Sequence, residues 1–218
     1  DDVDSDDNNE FACNDDDGDT CDECSSGSYN SSNDGLDYDG DGACDAGDNT
    51  PNGEAFLSYS NVSENSFDLV YSSDVPIHNY TIVFGGINIV NYANGDFHIV
   101  QTNNTISAIQ QNNGYHLSAG DGLVITIVFD AQLSGTDLSI ETVHMNSNGR
   151  LVATYIPNNH AVVACTNYDT DDLCDIDADG DDDNDGAADD LDSDDNNANV
   201  CSDDDSDSCD DCSNGQYD

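Results

Sequence analysis

The pattern of apolar and polar residues between residues 55 and 164 is that of a series of β-strands. In the segments 66–71 and 80–84 a large apolar residue occupies every second position, which is typical of a strand with one buried face. The segment 123–129 is apolar almost throughout and predicts a strand that is buried on both faces. Further strands are predicted at residues 56–62, 87–92, 96–101, 105–110, 138–144, 150–156 and 161–164. Turn residues separate these segments and no stretch shows helical periodicity, so we predict a mainly β fold, an antiparallel β-sandwich.

The two flanks of this central segment lack any apolar periodicity and carry most of the acidic residues. Residues 1–48 contain 18 acids, residues 49–165 contain 9, and residues 166–218 contain 22. We therefore predict an Asp-rich connector at 1–48, a β-sandwich at 49–165 and a second Asp-rich connector at 166–218. The connectors consist largely of Ser, Asn, Gly, Asp and Cys and cannot form an apolar core, so bound metal and disulfides must keep them in shape.

The chain also repeats itself at a long, fixed interval. Residues 189–218 align with residues 1–30 at an offset of 188, and 19 of the 30 aligned residues are identical. Such a period is the mark of an array, and we expect a longer natural chain that is cut within a module at both ends. One unit holds six of the nine cysteines, which predicts three disulfides and an oxidising compartment. These six are Cys13, Cys21, Cys24, Cys44, Cys165 and Cys174, while Cys201, Cys209 and Cys212 would belong to the next unit, whose fourth cysteine lies beyond the chain end.

The charge of the chain is extreme, with 49 acidic residues against a single Arg, no Lys, and a net charge of −48. This balance excludes nucleic acids and anionic membranes as partners, because both repel a polyanion. Two carboxylates about 4 Å apart repel by roughly 4 kcal/mol at an effective dielectric constant of about 20. Dense clusters of Asp therefore need a cation to become compact. The segment contains no transmembrane stretch, and we expect a secreted or cell-surface protein.

Two stretches have the ligand spacing of a calcium loop, with carboxylates at positions 1, 3, 5, 9 and 12 and glycine at position 6. Calcium takes about six to eight hard oxygen ligands, and the glycine permits the sharp turn between them. A backbone carbonyl at position 7 can add a further ligand. The predicted ligands are Asp37, Asp39, Asp41, Ala43, Asp45 and Asp48 in the first stretch, and Asp181, Asp183, Asp185, Ala187, Asp189 and Asp192 in the second.

Weaker matches to the same spacing surround these two loops. One partial loop overlaps the second strong one, and its shared carboxylate, Asp183, could bridge two ions. The alternative interpretation of the weaker matches is a solvated acidic linker. Their candidate ligands are Asp175, Asp177 and Asp179, then Asp2, Asp4, Asp6 and Glu10, then Asp15, Asp17 and Asp19, and the repeat copies Asp203, Asp205 and Asp207.

The sequences DYDGDGACDAGD (37–48) and DDDNDGAADDLD (181–192) resemble thrombospondin type 3 repeats. The resemblance covers nearly all of the acidic flanks, although the usual Cys-Pro step of that family is missing. It implies a chain that wraps around a string of Ca²⁺ ions without regular secondary structure, with disulfides that pin successive loops. We expect local pairing, as Cys13–Cys21, Cys24–Cys44 and Cys165–Cys174, among the many connectivities that six cysteines allow. A redox or zinc motif at Cys21–Cys24 lacks both a βαβ context and a second Cys/His pair.

The central sequences FDLVYSSDVPIHNYTIVF (67–84) and LSAGDGLVITIVFDA (117–131) resemble cohesin modules of secreted bacterial proteins. That resemblance implies a β-sandwich in which a Gly-rich turn leads into a buried strand. Cohesins bind dockerins, which also carry Asp-rich calcium loops. The resemblance therefore suggests contacts between the sandwich of one subunit and the acidic connector of its neighbour.

No arrangement typical of an enzyme is found, and we predict a non-catalytic protein. The five histidines are scattered along the sequence and have no diagnostic catalytic context: His78, His98, His116, His144 and His160. Four Asn-x-Ser/Thr sequons, at Asn30, Asn61, Asn79 and Asn103, are candidate glycosylation sites in a secreted protein.

The leading hypothesis is a structural unit of a secreted, calcium-stabilised filament, fibre or stalk, in which units meet their own kind head to tail. The alternative is an adhesin or carbohydrate-binding array, with the sandwich as the ligand module for glycans and the acidic segment as spacer. A third hypothesis is an accessory region of an extracellular enzyme whose catalytic part lies elsewhere.

Overall fold

The computed structural model describes residues 4–93, 98–109, 114, 116–176, 179–204 and 206–217. The eleven strands found among these residues lie within the predicted central segment, between Glu54 and Val162. Within the described ranges no helix has the length and apolar character needed to span a membrane. The strands are β1 (Glu54–Ser60), β2 (Ser66–Ser73), β3 (Asn79–Gly85), β4 (Ile89–Ala93), β5 (His98–Thr102), β6 (Thr105–Ile109), β7 (Gly120–Phe129), β8 (Thr136–Ser147), β9 (Arg150–Leu151), β10 (Ala153–Tyr155) and β11 (His160–Val162).

The strands form two sheets, with the orders β10-β1-β2-β7-β4 and β11-β8-β3-β6-β5, and β9 adds to the second sheet beside β8. Every pair of neighbouring strands is antiparallel except β1 and β10, which are parallel. The predicted mainly β fold, an antiparallel β-sandwich, is confirmed.

The core of the sandwich is built from the alternate residues that face the opposite sheet. Phe67 packs against Phe84 and Phe129, with ring centroids 5.5 and 6.1 Å apart, and so joins the two sheets. Buried aromatic groups of this kind contribute much of the free energy that stabilises a small domain. The largest fully buried side chains are those of Tyr80, Phe67, Phe84, Phe129, Leu69, Ile77, Ile82, Ile106, Ile125, Ile127, Leu138 and Met145.

The prediction that residues 123–129 are buried on both faces is wrong. Val124, Ile125, Ile127 and Phe129 are buried, but the side chain of Leu123 is 47% exposed. The strand is central in its sheet, between β2 and β4, yet it is buried only on the face towards the second sheet. Apolar residues on the outer face explain the uninterrupted run in the sequence.

The remaining strand predictions agree with the structure to within a few residues. The predicted strand 150–156 is divided at Val152, whose buried side chain turns inward between β9 and β10. These two short strands extend different sheets, since β9 pairs with β8 and β10 pairs with β1. Residues 96–97 and 110 of the predicted strands lie outside the described residues.

Candidate metal centres in the acidic connectors

The described parts of both connectors contain neither strand nor helix, and disulfides cross-link them, one of these to Cys165 at the end of the central segment. The pairs are Cys13–Cys24, Cys21–Cys44, Cys165–Cys174 and Cys201–Cys212. The predicted pair Cys165–Cys174 is confirmed, whereas the predicted pairs Cys13–Cys21 and Cys24–Cys44 are wrong. Because Cys21 and Cys24 are bonded to other partners, the structure also contains no Cys21–Cys24 redox disulfide.

A carboxylate between the cysteines explains the pairing. Asp22 accepts hydrogen bonds from the backbone N–H groups of Cys13, at 2.9 Å, and Cys24, at 2.8 Å, and so brings these two cysteines side by side. The N–H group of Cys44 donates to the carbonyl of Asp19 at 2.7 Å, which places Cys44 beside Cys21. The second connector repeats the arrangement around Asp22. There Asp210 accepts hydrogen bonds from the backbone N–H groups of Cys201, at 3.1 Å, and Cys212, at 3.0 Å.

Cys209 is exposed and is the one cysteine that carries a free thiol; all nine cysteines are among the described residues. Its counterpart one repeat earlier, Cys21, is bonded to Cys44. That the partner of Cys209 belongs to the next unit stays a prediction.

The loop 37–48 folds around the oxygen atoms of its own carboxylates. Asp37 accepts hydrogen bonds from the N–H groups of Gly40, at 2.7 Å, and Gly42, at 3.1 Å. Asp39 accepts from the N–H of Asp41 at 3.3 Å. These bonds use one oxygen of Asp39, and its Oδ2 atom is buried with no hydrogen-bond partner among the described residues. Such an atom needs a cation or water, because an unpaired buried carboxylate oxygen is costly.

The loop 181–192 has the same construction. Asp181 accepts from the N–H of Gly186 at 3.0 Å, Asp183 from that of Asp185 at 3.2 Å, and Asp185 from that of Ala187 at 2.8 Å. In the part of the chain that the structure describes, one oxygen of each of these three carboxylates is buried and unpartnered. Three oxygens of this kind in one loop are a suitable ligand set for a hard cation.

A hydrogen bond between the second and ninth residues is common to the two loops above and to three further segments. In the loop 37–48 the N–H of Tyr38 donates to Asp45 at 2.8 Å, and in 181–192 the N–H of Asp182 donates to Asp189 at 3.0 Å. The same bond recurs in three other pairs: Asp16 with Glu23, Tyr168 with Asp175 at 3.3 Å, and Asp204 with Asp211 at 2.8 Å. The described parts of the connectors therefore contain five loops that share this bond, which begin at residues 15, 37, 167, 181 and 203.

The loop that begins at Asn167 was missed by the sequence analysis. Its first ligand position holds an amide and its sixth position holds Asp172, so it fails the pattern of Asp at position 1 and Gly at position 6. Asp175 is the ninth residue of this loop, although the sequence predicts it as the first residue of the partial loop with Asp179 and Asp183. The amide oxygen of Asn167 and one oxygen each of Asp175 and Asp179 are buried and, among the residues described, unpartnered.

The other predicted ligands are placed as follows. Asp4 accepts a hydrogen bond from the N–H of Asp6 at 2.8 Å. In the repeat copy, Asp192 accepts the same bond from the N–H of Asp194, also at 2.8 Å. Glu10 is exposed. Asp15, Asp17 and Asp19 each have an oxygen atom within 4.8 Å of the others. The predicted ligands Asp2, Asp177 and Asp205 lie outside the described residues.

The crowding of carboxylates raises their affinity for protons. Burial raises the pKa of Asp39, Asp181 and Asp183, and neighbouring carboxylates raise them further. Burial, followed by the charge of Asp189, raises the pKa of Asp182 to about 6. Each of these environments disfavours a bare negative charge, and a bound cation would reverse that effect.

The connectors meet the sandwich at opposite ends. The first connector leads into β1 at Glu54, and the hydroxyl of Tyr38 donates to the carbonyl of Ser147 at 3.1 Å. The second connector begins near the other end of β1, where the N–H of Thr166 donates to Glu64, in the turn between β1 and β2, at 3.2 Å. The seven residues of β1 separate the two ends by about 20 Å.

The histidines and sequons are distributed over the sandwich and the first connector. His78 and His116 stack with ring centroids 5.3 Å apart, and burial lowers the pKa of His78. His98, His144 and His160 lie on β5, β8 and β11. Among the sequons, Asn30 and Asn103 are exposed, Asn61 donates from its amide to Asp68 at 2.7 Å, and Asn79 lies in β3.

The solved structures similar to this chain include cohesin modules. A cohesin of a family 33 glycoside hydrolase from Clostridium perfringens is 10% identical, with a TM-score of 0.40, and the match covers 51% of this chain and 96% of the cohesin. A non-cellulosomal cohesin from Archaeoglobus fulgidus is 15% identical, with a TM-score of 0.36, over 51% and 91% of the two chains. The third cohesin of ScaC from Acetivibrio cellulolyticus, solved in complex with the ScaB dockerin, is 13% identical, with a TM-score of 0.36, over 51% and 99%. No family model and no curated protein sequence matches the chain.

Proposed function

We propose that this chain is a repeating structural unit of an extracellular, calcium-stabilised filament, fibre or stalk. The sandwich is a rigid bead, and the acidic segments are connectors that calcium and disulfides hold in shape. Four disulfides fit an oxidising, extracellular compartment.

The observation that carries the proposal is the arrangement of the two connectors. They join the sandwich at opposite ends, and the second connector restarts the sequence of the first at residue 189. A unit whose two ends are related in this way can join its own kind head to tail, and such contacts build an open filament when the rotation between units does not close a ring. The proposal covers both a tandem chain and separate subunits that meet head to tail.

Calcium is the proposed structural cation because the ligands are hard oxygen atoms. The connectors hold 40 of the 49 acidic residues, whose carboxylates repel one another, and they have little apolar surface with which to offset that repulsion. Ion binding and folding of the connectors should therefore be one process. Calcium sites of extracellular modules commonly have dissociation constants of about 10⁻⁴ to 10⁻³ M, so a chelator should empty them.

Electron microscopy and limited proteolysis of the native assembly test this function. In calcium we expect filaments with regularly spaced beads and connectors that resist protease. After treatment with EGTA we expect cleavage within 4–48 and 166–217 and loss of filament order, while the sandwich stays intact. Dispersed particles in calcium, in place of filaments, would contradict the structural role.

A second candidate function, glycan binding by the sandwich, is supported by one aromatic pair. Phe56 and Tyr155 stack at 4.6 Å on the outer face of the first sheet and are 50% and 47% exposed. Phe56 lines a groove of about 450 Å³ together with Asp121 and two serines, Ser58 and Ser72. Aromatic rings beside hydroxyl and carboxylate groups suit a sugar. A glycan array probed with the chain and with its Phe56→Ala variant tests this function, and binding that the substitution abolishes would support it.

A further inference from the structure

We propose that Glu23 and Asp34 complete a cation site together with Asp17, and that this site fastens residues 30–36 onto the first acidic loop. Glu23 is the ninth residue of the loop that begins at residue 15 and was not among the ligands predicted from the sequence, whereas Asp34 lies outside that loop altogether. The inference rests on the proposed role of calcium in the connectors and adds to it a site whose ligands come from two separate segments.

Burial and the lack of a partner single out these two carboxylates. Glu23 is fully buried and Asp34 is 7% exposed, values that acidic side chains reach only when they are paired. One oxygen of Glu23 accepts from the N–H groups of Asp16 and Asp17. Across the described ranges, Oε2 of Glu23 and Oδ2 of Asp34 are buried without a hydrogen-bond partner. Burial of two unpaired carboxylates side by side is costly, and a cation between them would offset that cost.

The geometry brings one oxygen atom from each of three carboxylates close together. One carboxylate oxygen each from Asp17, Glu23 and Asp34 lies within 4.8 Å of the other two. Asp17 also belongs to the group formed with Asp15 and Asp19, so the site adjoins the first loop. Oxygens this far apart can contact one ion at the distance of about 2.3 to 2.6 Å that calcium prefers.

The chemistry of the site selects a hard divalent cation. All three ligands are carboxylates, which suit calcium rather than a soft metal. The sulfur atoms of Cys21 and Cys44 lie close to Asp34 but are bonded to each other, so they offer no thiolate for zinc.

The site also explains the conformation of the segment that carries Asp34. The N–H of Asn30 donates to the carbonyl of Glu23 at 2.9 Å, and Gly35 lies directly on the Cys21–Cys44 disulfide. A Cβ atom at Gly35 would stand 1.9 and 2.3 Å from the two sulfur atoms, so the contact requires glycine. A cation that holds Asp34 would keep this segment against the disulfide, and its loss should expose the disulfide to reductant.

Native mass spectrometry of the oxidised, full chain in saturating calcium tests the site. We expect the Asp34→Asn and Glu23→Gln variants each to bind one calcium ion fewer than the wild type. The control is Asp130→Asn, which removes the same charge from an exposed residue of the sandwich and should leave the ion count unchanged. An Asp34→Asn variant with the wild-type count and affinity would overturn the site.

A second measurement covers the case in which a variant fails to fold. In the wild type, calcium should slow the reduction of Cys21–Cys44 relative to EGTA. Equal reduction rates of Cys21–Cys44 in calcium and in EGTA would also overturn the site. These results are distinct from failure of the proposed function. A wild-type chain that binds no calcium would reject both proposals. An unchanged number of bound calcium ions in Asp34→Asn would reject this site alone.

Discussion

Arg150 lies over the ring of Tyr38, with its guanidinium carbon 4.1 Å from the ring centroid. The same guanidinium donates hydrogen bonds to Asp45 at 3.0 Å and to Asn52 at 3.2 Å. Tyr38 and Asp45 are the second and ninth residues of a candidate calcium loop, and Arg150 begins β9 of the sandwich. The only Lys or Arg residue of the chain therefore joins the first connector to the sandwich.

Replacement of Arg150 should loosen this junction without emptying the loop. The cation–π contact and the ion pair, whose partners are 37% and 23% exposed, together stabilise the junction by about 1 kcal/mol. We expect Arg150→Gln to raise protease cleavage at residues 49–53 several-fold and to leave the number of bound calcium ions unchanged. Arg150→Lys, which keeps the charge but loses the planar contact, should give an intermediate rate. Wild-type cleavage in Arg150→Gln would show that the contact does not hold the junction.

Removal of central loop carboxylates should weaken calcium binding in one connector at a time. Asp41→Ala and Asp185→Ala each delete the carboxylate at position 5, and Asp185 is only 3% exposed. We expect calorimetric titration to show the loss of one site in each variant, and hydrogen exchange to rise in that connector only. Unchanged calcium affinity together with unchanged protease resistance would refute the ligand assignment of these loops.

Calcium should guide the pairing of the cysteines. Asp22 and Asp210 align Cys13 with Cys24 and Cys201 with Cys212, and they can do so only when the loops are folded. Oxidative refolding in calcium should therefore yield the crossed pairs Cys13–Cys24 and Cys21–Cys44, and refolding in EGTA should yield mixed pairs. Peptide mapping under non-reducing conditions distinguishes these products, and identical native pairing in EGTA would contradict the prediction.

The sandwich should fold independently of the metal. Phe67→Ala removes a buried ring between the sheets and should lower the free energy of unfolding by about 3 to 5 kcal/mol. Phe56→Ala is the matched control, since half of its ring is exposed, and it should cost much less. Chemical denaturation in calcium and in EGTA should give the same transition for the sandwich, and a transition that depends strongly on calcium would argue against independent folding.

The sequence predicts the sandwich well because its strands have one buried face. Phe67, Leu69 and Tyr71 are all inward and buried, as their alternation indicates. Leu123 shows the limit of the method, because an apolar residue on the open face of a sheet cannot be distinguished from a buried one by periodicity. Val152 shows another limit, since a bend that sends a chain from one sheet to the other leaves no signal in hydropathy.

Much less of the candidate metal centres could be predicted. The spacing reveals the loops at Asp37 and Asp181, because most ligands of a calcium loop are local in sequence. It cannot reveal Asp34, which approaches Glu23 only after the chain has folded, nor the loop that begins with the amide of Asn167. Two of the three predicted cysteine pairs were wrong for the same reason, because hydrogen bonds to Asp22 and to the carbonyl of Asp19, rather than distance along the chain, set the pairs Cys13–Cys24 and Cys21–Cys44.

Small-angle X-ray scattering of the chain in calcium and in EGTA tests the central claim most directly. If calcium holds the connectors, the profile in calcium is that of a compact particle, and chelation increases the radius of gyration and the maximum dimension because the 40 acids of the two connectors then repel one another. Readdition of calcium should restore the first profile. Superimposable profiles in calcium and in EGTA would contradict the claim and would leave the disulfides alone to hold the connectors.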